Sequence, residues 1–488
     1  MSTAFKVNLT KYPEGMTHLF LTGLWERFSY YGITALLILY LFKHFDMSDA
    51  KAYLIYGAYA SMVYGTPIIG GIIADKYIGQ YRSIIIGASL IALGHFVMIV
   101  PDSKNICFFM GLSIVIVGTG LFKPSIGAIT GAIFAKKNAH KRNQGFTFLY
   151  IGMNVGTITA PLVCSYIAVT YSWNLAFGIA GVGMLIGLVI FINGSKYYKD
   201  IKSNKLNLIK RISYWIALIL SLLCLILFIF ILLSYPFWAS KVLFIIGLAT
   251  TLLIIYFVFK SEFNDRNRIY ITVILTLFYM VFMILLQQSG GMMNVFTERN
   301  VNREILGFVV PTSAFQSVEP FFIILFGPVY AYLGKRFNPN AHTYAVKFAI
   351  GLLVMSSSFL LLVLAILLTS KDGFISSWWI NLSYLLQALG ELFIGPIGLA
   401  MISVVAPKRM IGFFMGVWVL SSAFANYLAA SFGALISGDG RVGSLAPSET
   451  IDVYMRAFGY FTLLGAIAAL ILFTLAPALN KKLKFLIT

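Results

Sequence analysis

The sequence predicts an all-α polytopic membrane protein with fourteen transmembrane helices. Three observations predict it. Of 488 residues, 59% are hydrophobic and only 11% charged, against about 25% charged in soluble chains, and the mean hydropathy is +0.88. The charges cluster between apolar runs, each of the length, about 20 residues, that crosses ~30 Å of hydrocarbon as a helix. These runs are continuous rather than alternating with a period of two, which excludes a transmembrane β-barrel.

In chain order, the spans are expected at 17–42, 53–75, 81–100, 105–134, 144–170, 174–193, 212–234, 239–259, 269–296, 307–333, 343–369, 377–405, 411–437 and 452–477. The first carries Glu26 and Arg27, and the second runs into Gly70-Gly71 and a loop from Asp75 to Arg82. The third holds His95, expected to be packed and neutral, and the fourth is interrupted at Lys123-Pro124. The fifth has Tyr150, Asn154 and Thr157 at i, i+4 and i+7, a polar stripe on an apolar helix. A linker at about 194–211 with six basic residues follows the sixth span. Spans seven and eight lack central charges and read as a lipid-facing insertion between two six-span halves. Gly327-Pro328 to Gly334-Lys335-Arg336 faintly repeats the loop after the second span. Paired halves are typical of secondary transporters. The expected domains are therefore 1–193, 194–268 and 269–488.

The net charge of +19 does not call for nucleic acid. Of the 36 Lys and Arg, 25 fall in one set of loops and 8 in the opposite set, while Arg27, Lys123 and Arg456 lie in or at the ends of spans. The positive-inside rule then puts both termini in the cytoplasm. Cys107, Cys164 and Cys224 lie far apart in apolar runs, with no disulfide or metal spacing. Met1 to Thr17 is polar, so no cleavable signal is expected there. No P-loop pattern occurs, and neither ATP nor any cofactor is expected.

An ionisable group at membrane depth costs at least about 2.5–3.5 kcal/mol, which makes each one a functional candidate. They are Glu26, Arg27, Lys123, Glu319 and Glu391. Gly23, Arg27, Tyr30, Tyr31 and Thr34 share a helix face. A cation among phenols suits a carboxylate ligand. Gln387 and Glu391, at i and i+4, suit an ammonium. Cations in the first half and a carboxylate in the second would clamp a zwitterion end to end, with Arg27 and Glu391 facing it.

These residues resemble the proton-dependent oligopeptide transporters of the major facilitator superfamily. That family's first-span signature, E-x-x-E-R-F-x-Y-Y-G, is matched by Gly23-x-x-Glu26-Arg27-Phe28-Ser29-Tyr30-Tyr31-Gly32. Its F-Y-x-x-I-N-x-G is similar to Leu149-Tyr150-Ile151-Gly152-Met153-Asn154-Val155-Gly156. Val63-Tyr64-Gly65-Thr66-Pro67, Phe122-Lys123-Pro124, Gln387 to Glu391 and Ala406-Pro407 also fit, as do two extra helices between the halves, as in bacterial members. The resemblance implies two six-helix bundles, alternating access and import of di- and tripeptides with protons at the bacterial inner membrane, by a monomer surrounded by lipid. It implies that Arg27 and Lys123 hold the peptide carboxylate and Glu391 its amino group. Tyr30, Tyr31, Tyr64, Tyr150 and Asn154 would line the pocket, and Thr34, Gln287, Glu319 and Trp418 complete the candidate set.

Four positions depart from the family pattern. Gly23 replaces a glutamate, Thr34 an arginine and Gln287 a glutamate, so three members of one charged network are neutral together. Glu319-Pro320 replaces asparagine-proline. Glu26 and Glu319 are then the candidates for proton coupling, and Glu319 either takes over proton carriage or alters substrate choice. The competing reading is a transporter of amino acids or another small zwitterion with altered or absent coupling. No nucleophile or metal constellation supports an enzyme, and charges unequal between the halves argue against a channel.

Overall fold

The computed structural model describes residues 14–102, 104–134, 139–198, 212–336, 344–395, 397–438 and 445–487. Most of the basic linker expected at 194–211 therefore lies outside the described residues, as do Pro396, Arg441, Lys6, Lys11, Lys136 and Lys137. Helices α1 (Met16–Lys43), α2 (Asp49–Ile73), α3 (Gln80–Met98), α4 (Ile106–Ile133), α5 (Ala139–Thr170) and α6 (Trp173–Asn193) come first. Helices α7 (Ile212–Ser234) and α8 (Pro236–Lys260) follow. Next are α9 (Phe263–Leu286), α10 (Met292–Asn300), α11 (Val318–Arg336), α12 (Tyr344–Thr369), α13 (Ser377–Ile394), α14 (Gly398–Val405), α15 (Ile411–Ser437) and α16 (Pro447–Ile487). With α9–α10 and α13–α14 each read as one broken span, these make fourteen. Eleven of the fourteen are long and apolar enough to cross a membrane by length and composition. The other three, α1, α11 and α13, carry Glu26 and Arg27, Glu319 and Glu391.

Two sequence-predicted spans end or begin elsewhere, for physical reasons. The span expected at 269–296 breaks at a 3-10 turn, Gln287–Ser289, followed by Gly290 and Gly291, before α10 resumes. The apolar run from Ile305 to Val310, expected to open the span at 307, instead forms a hairpin of β2 (Glu304–Ile305) and β3 (Phe308–Val309). Its turn residues Leu306 and Gly307 both adopt positive φ, 52° and 81°, as a tight two-residue turn demands. A short apolar strand and a helix segment have the same hydropathy, so the run alone did not distinguish them. Upstream, β1 (Val301–Asn302) pairs in parallel with β4 (Ile375–Ser376).

Two compact units emerge, one from Met1–Ile33 and Gly65–Ile231, the other from Thr34–Tyr64 and Leu232–Thr488. Within the first, α3 and α4 meet through glycines. A Cβ on Gly87 would stand 2.7 Å from the Gly118 carbonyl oxygen, and one on Gly118 2.6 Å from that of Gly87. Gly94 and Gly111 repeat this contact seven residues along each helix, at 2.6 and 2.5 Å. Lipid supplies no hydrophobic drive between helices, so backbone approach of this kind is what packs them. Gly118→Leu is expected to destabilise the unit by about 3 kcal/mol, the upper end for overpacking. Leu93→Ala, on the exposed side of α3, serves as the control. A thermal melt of the detergent-solubilised protein followed by size-exclusion chromatography checks it; equal melting of both variants would refute the packing role. In contrast, α7 and α8 are largely bare: 22% and 0% of their most apolar stretches are buried by protein.

Outside the spans, Asp102 opens α4. Its carboxylate accepts from the backbone N–H groups of Cys107 and Lys104, each at 2.8 Å, and these bonds hold it below the usual carboxylate range.

Candidate functional site

In the first unit, the signature of α1 builds a compact cationic cluster. Arg27 Nε lies 3.4 Å from Glu26 Oε2, and the Glu26 side chain is only 2% exposed. The other oxygen, Oε1, is buried and accepts no hydrogen bond among the described residues. Lys123 is close enough to interact electrostatically with both Arg27 and Glu26, and its Nζ sits 4.3 Å from the centroid of the Tyr30 ring. Tyr31 meets Tyr30 edge-on at 5.0 Å. Two basic side chains thus stand with one carboxylate, and Arg27 remains partly exposed at 23%. Such a site suits an anion.

The polar stripe of α5 is present, but its members are engaged with their own helix. Asn154 Nδ2 donates to the Tyr150 carbonyl at 2.9 Å and Thr157 Oγ1 to that of Met153 at 3.0 Å. The Tyr150 side chain is exposed. Helices α1 and α5 pack closely, since a Cβ on Gly156 would run into the Leu24 carbonyl. This explains the departure at Gly23: Leu149 Cδ1 lies 3.1 Å from where its Cβ would stand, with Met153 next to it. A glutamate there would meet apolar side chains. His95 is packed, as expected: it is fully buried and hydrogen-bonded through Nε2 to Ser29 Oγ at 2.7 Å.

In the second unit, the carboxyl groups of Glu319, in the first turn of α11, and Glu391, on α13, stand within hydrogen-bonding reach of each other. Two carboxyls can make such a contact only when at least one of them carries a proton, so the pair holds fewer than two negative charges while it lasts. Tyr384 is near enough to Glu319, and Tyr279 to Glu391 and Tyr64, to interact electrostatically. Tyr279 stacks on Trp418 with ring centroids 3.7 Å apart and bonds Ser422 Oγ at 3.2 Å. Tyr64, Glu391 and Trp418 are thus brought together around Tyr279, with Glu319 beside Glu391. Neither Tyr279 nor Tyr384 was singled out from sequence; each is an apolar-span tyrosine like many others, with no motif to mark it. Gln287 lies half-buried in the turn between α9 and α10, while its neighbour Gln288 donates to the carbonyls of Ile284 and Ala429. Thr34 is buried at 5% exposure.

A further cluster in the same unit went unnoticed in the sequence. Arg299 grips Asp49 with both nitrogens, at 2.6 and 2.9 Å, and bonds the Tyr454 hydroxyl at 3.1 Å. Lys43 Nζ lies 2.5 Å from Glu298 Oε1, which Arg303 also approaches at 3.4 Å. Thr312 donates to the other Glu298 oxygen. Three of the eight basic residues counted against the positive-inside bias are therefore held in ion pairs that tie the C-terminal end of α1 and the N-terminal end of α2 to α10, with a hydrogen bond from Arg299 on to Tyr454 of α16.

A profile of the POT family matches residues 81–439. The chain belongs to the POT family. It is 31% identical over 488 residues to the dipeptide and tripeptide permease A of Cronobacter turicensis, covering 99% of this chain and 97% of that one. It is 33% identical to the permease of the same name from Proteus mirabilis, covering 97% and 96%. Among solved structures, a bacterial homologue of the human drug peptide transporters superposes with a TM-score of 0.85 at 26% identity, over 96% of this chain and 99% of that chain. A peptide transporter of the POT family in complex with sulfate gives 0.80 at 26% identity, over 96% of each. The POT-family chain is thus a multi-pass membrane protein of a transporter family, not an enzyme.

Proposed function

We propose that this POT-family protein imports di- and tripeptides in symport with protons, by alternating access, across the bacterial inner membrane with both termini in the cytoplasm. The observation that carries the reading is the opposite chemistry of the two clusters: two basic side chains, Arg27 and Lys123, with one carboxylate, Glu26, in the first unit, and two carboxyls, Glu319 and Glu391, in contact in the second. A peptide zwitterion offers the complementary pair. Arg27 and Lys123 hold its carboxylate, and Glu391 its ammonium. Tyr30, Tyr31, Tyr64, Tyr150, Asn154 and Trp418 contact the peptide's backbone and side chains, with Thr34 and Gln287 beside them. Glu319 carries the coupling proton, and Glu26, tied to Arg27, keeps that cation in place. Two six-helix bundles, 1–193 and 269–488, perform the cycle as a monomer, with 194–268 against lipid. The bare surfaces of α7 and α8 support that placement.

Counterflow in proteoliposomes tests the reading. Liposomes preloaded with Ala-Ala are expected to take up labelled Ala-Ala, and external di- and tripeptides to compete, while single amino acids do not. An inward proton gradient should drive net accumulation. Competition by amino acids at the same concentration as dipeptides would replace the reading with a general zwitterion carrier.

A further inference from the structure

The Glu319–Glu391 pair offers more acceptor capacity than a peptide amino terminus fills. We propose that it takes a second cationic group, the basic side chain of a peptide's first residue, so that peptides beginning with lysine or arginine are preferred substrates. The inference rests on the peptide-importer reading.

Tyr384, Gln387 and Glu391 lie at i, i+3 and i+7 on α13 and so share a face. Tyr384 and Glu391 both interact with Glu319, which places Gln387, between them, on the side turned to that carboxyl. Gln387 is fully buried. Its Nε2 is engaged with Met293 Sδ at 2.9 Å, but its Oε1 is buried and accepts nothing among the described residues. A buried acceptor without a donor costs about 1–3 kcal/mol. Among the described residues no Lys, Arg or His forms an ion pair with Glu319 or Glu391. Nor is there a cluster of His, Cys, Asp and Glu fit to hold a metal ion. The donors this site lacks are N–H groups that arrive with a ligand.

Charge counting identifies the ligand. Two carboxyls can balance two positive charges. With a neutral first side chain, the peptide ammonium supplies one and the shared proton the other. With lysine or arginine first, the side-chain cation takes the proton's place on the pair and the proton passes to water, so that such a peptide crosses with its own positive charge in place of the coupling proton that accompanies a neutral one. The α-ammonium and the second cation must belong to the same residue, since the two carboxyls are in mutual contact. A basic residue in second position would reach from the far side of a peptide bond.

Isothermal titration of the purified full-length protein with Lys-Ala, Ala-Lys and Ala-Ala tests this, at one pH, in wild type and Glu319→Gln. Lys-Ala is expected to bind about tenfold tighter than either other peptide, the range of one added charged hydrogen bond. In the variant the advantage over Ala-Ala should vanish. Equal binding of Lys-Ala and Ala-Lys by wild type, or an advantage that survives in Glu319→Gln, overturns the inference and leaves the importer reading standing. Failure of all three to bind wild type overturns both. Should the variant not elute as a folded species, the wild-type comparison of Lys-Ala with Ala-Lys decides alone.

Discussion

Glu391→Gln is expected to weaken dipeptides with a free amino terminus by about 100-fold, close to 3 kcal/mol, within the range for truncating one partner of a buried charged hydrogen bond. N-acetylated dipeptides should change by less than about threefold, because they bring no ammonium to lose. The neighbouring Glu319 does not compensate. Once Glu391 is an amide, the peptide ammonium and the coupling proton compete for one carboxylate where two had been within reach of each other. Inhibition of labelled Ala-Ala uptake by free and acetylated peptides, measured in parallel in proteoliposomes, reads both numbers. Equal losses for the two classes would remove the ammonium from Glu391 and leave the carboxyl a packing role beside Gly395, whose Cβ would meet its Cγ at 3.5 Å.

Hydropathy carries a membrane fold well because the bilayer demands continuous apolar helices, and it is silent where the chain needs something else. The span expected at 411–437 is α15 to the residue, and that at 343–369 differs by one. Legibility failed at Ile305–Val310, where an apolar run is a hairpin, and at Gln287–Gly291, where a glycine pair ends a helix whose hydropathy continues. The site was legible as far as charge and motif reach. Arg27, Lys123, Glu319 and Glu391 stand out because a charge in hydrocarbon is costly. Tyr279 and Tyr384 do not, since an aromatic in a span is ordinary, and only the stack on Trp418 and the approach to Glu319 distinguish them. The Asp49–Arg299 pair was invisible for another reason: its partners are 250 residues apart and each reads as a loop-end charge. The contact between Glu319 and Glu391, 72 positions apart, likewise exists only in the fold.

That contact sets the second large effect. Glu319→Gln is expected to abolish proton-driven accumulation of Ala-Ala while reducing its counterflow by less than about threefold. Three carboxyls lie deep in the spans, and two have other duties. Glu26 is buried against Arg27 at 3.4 Å, and protonating it would remove the negative charge that faces that cation. Glu391 is, in the proposed reading, the partner of the substrate ammonium. Glu319 remains the proposed carrier: it lies against Glu391, a contact that needs a proton on one of the two, and a group that comes between them changes whether that proton is kept. A glutamine preserves shape and hydrogen bonding to Glu391 but cannot change charge, so the cycle can turn with substrate and cannot carry a proton. At one proton per peptide, an inward gradient of one pH unit supports about a tenfold peptide gradient, since 1.36 kcal/mol corresponds to one unit. The variant should hold a ratio of about one, and a pH-sensitive dye trapped in the lumen should show no acidification on peptide addition. Accumulation near tenfold in Glu319→Gln would assign the proton elsewhere, with Glu26 the remaining carboxyl; loss of counterflow together with accumulation would make Glu319 a substrate contact rather than the coupling site.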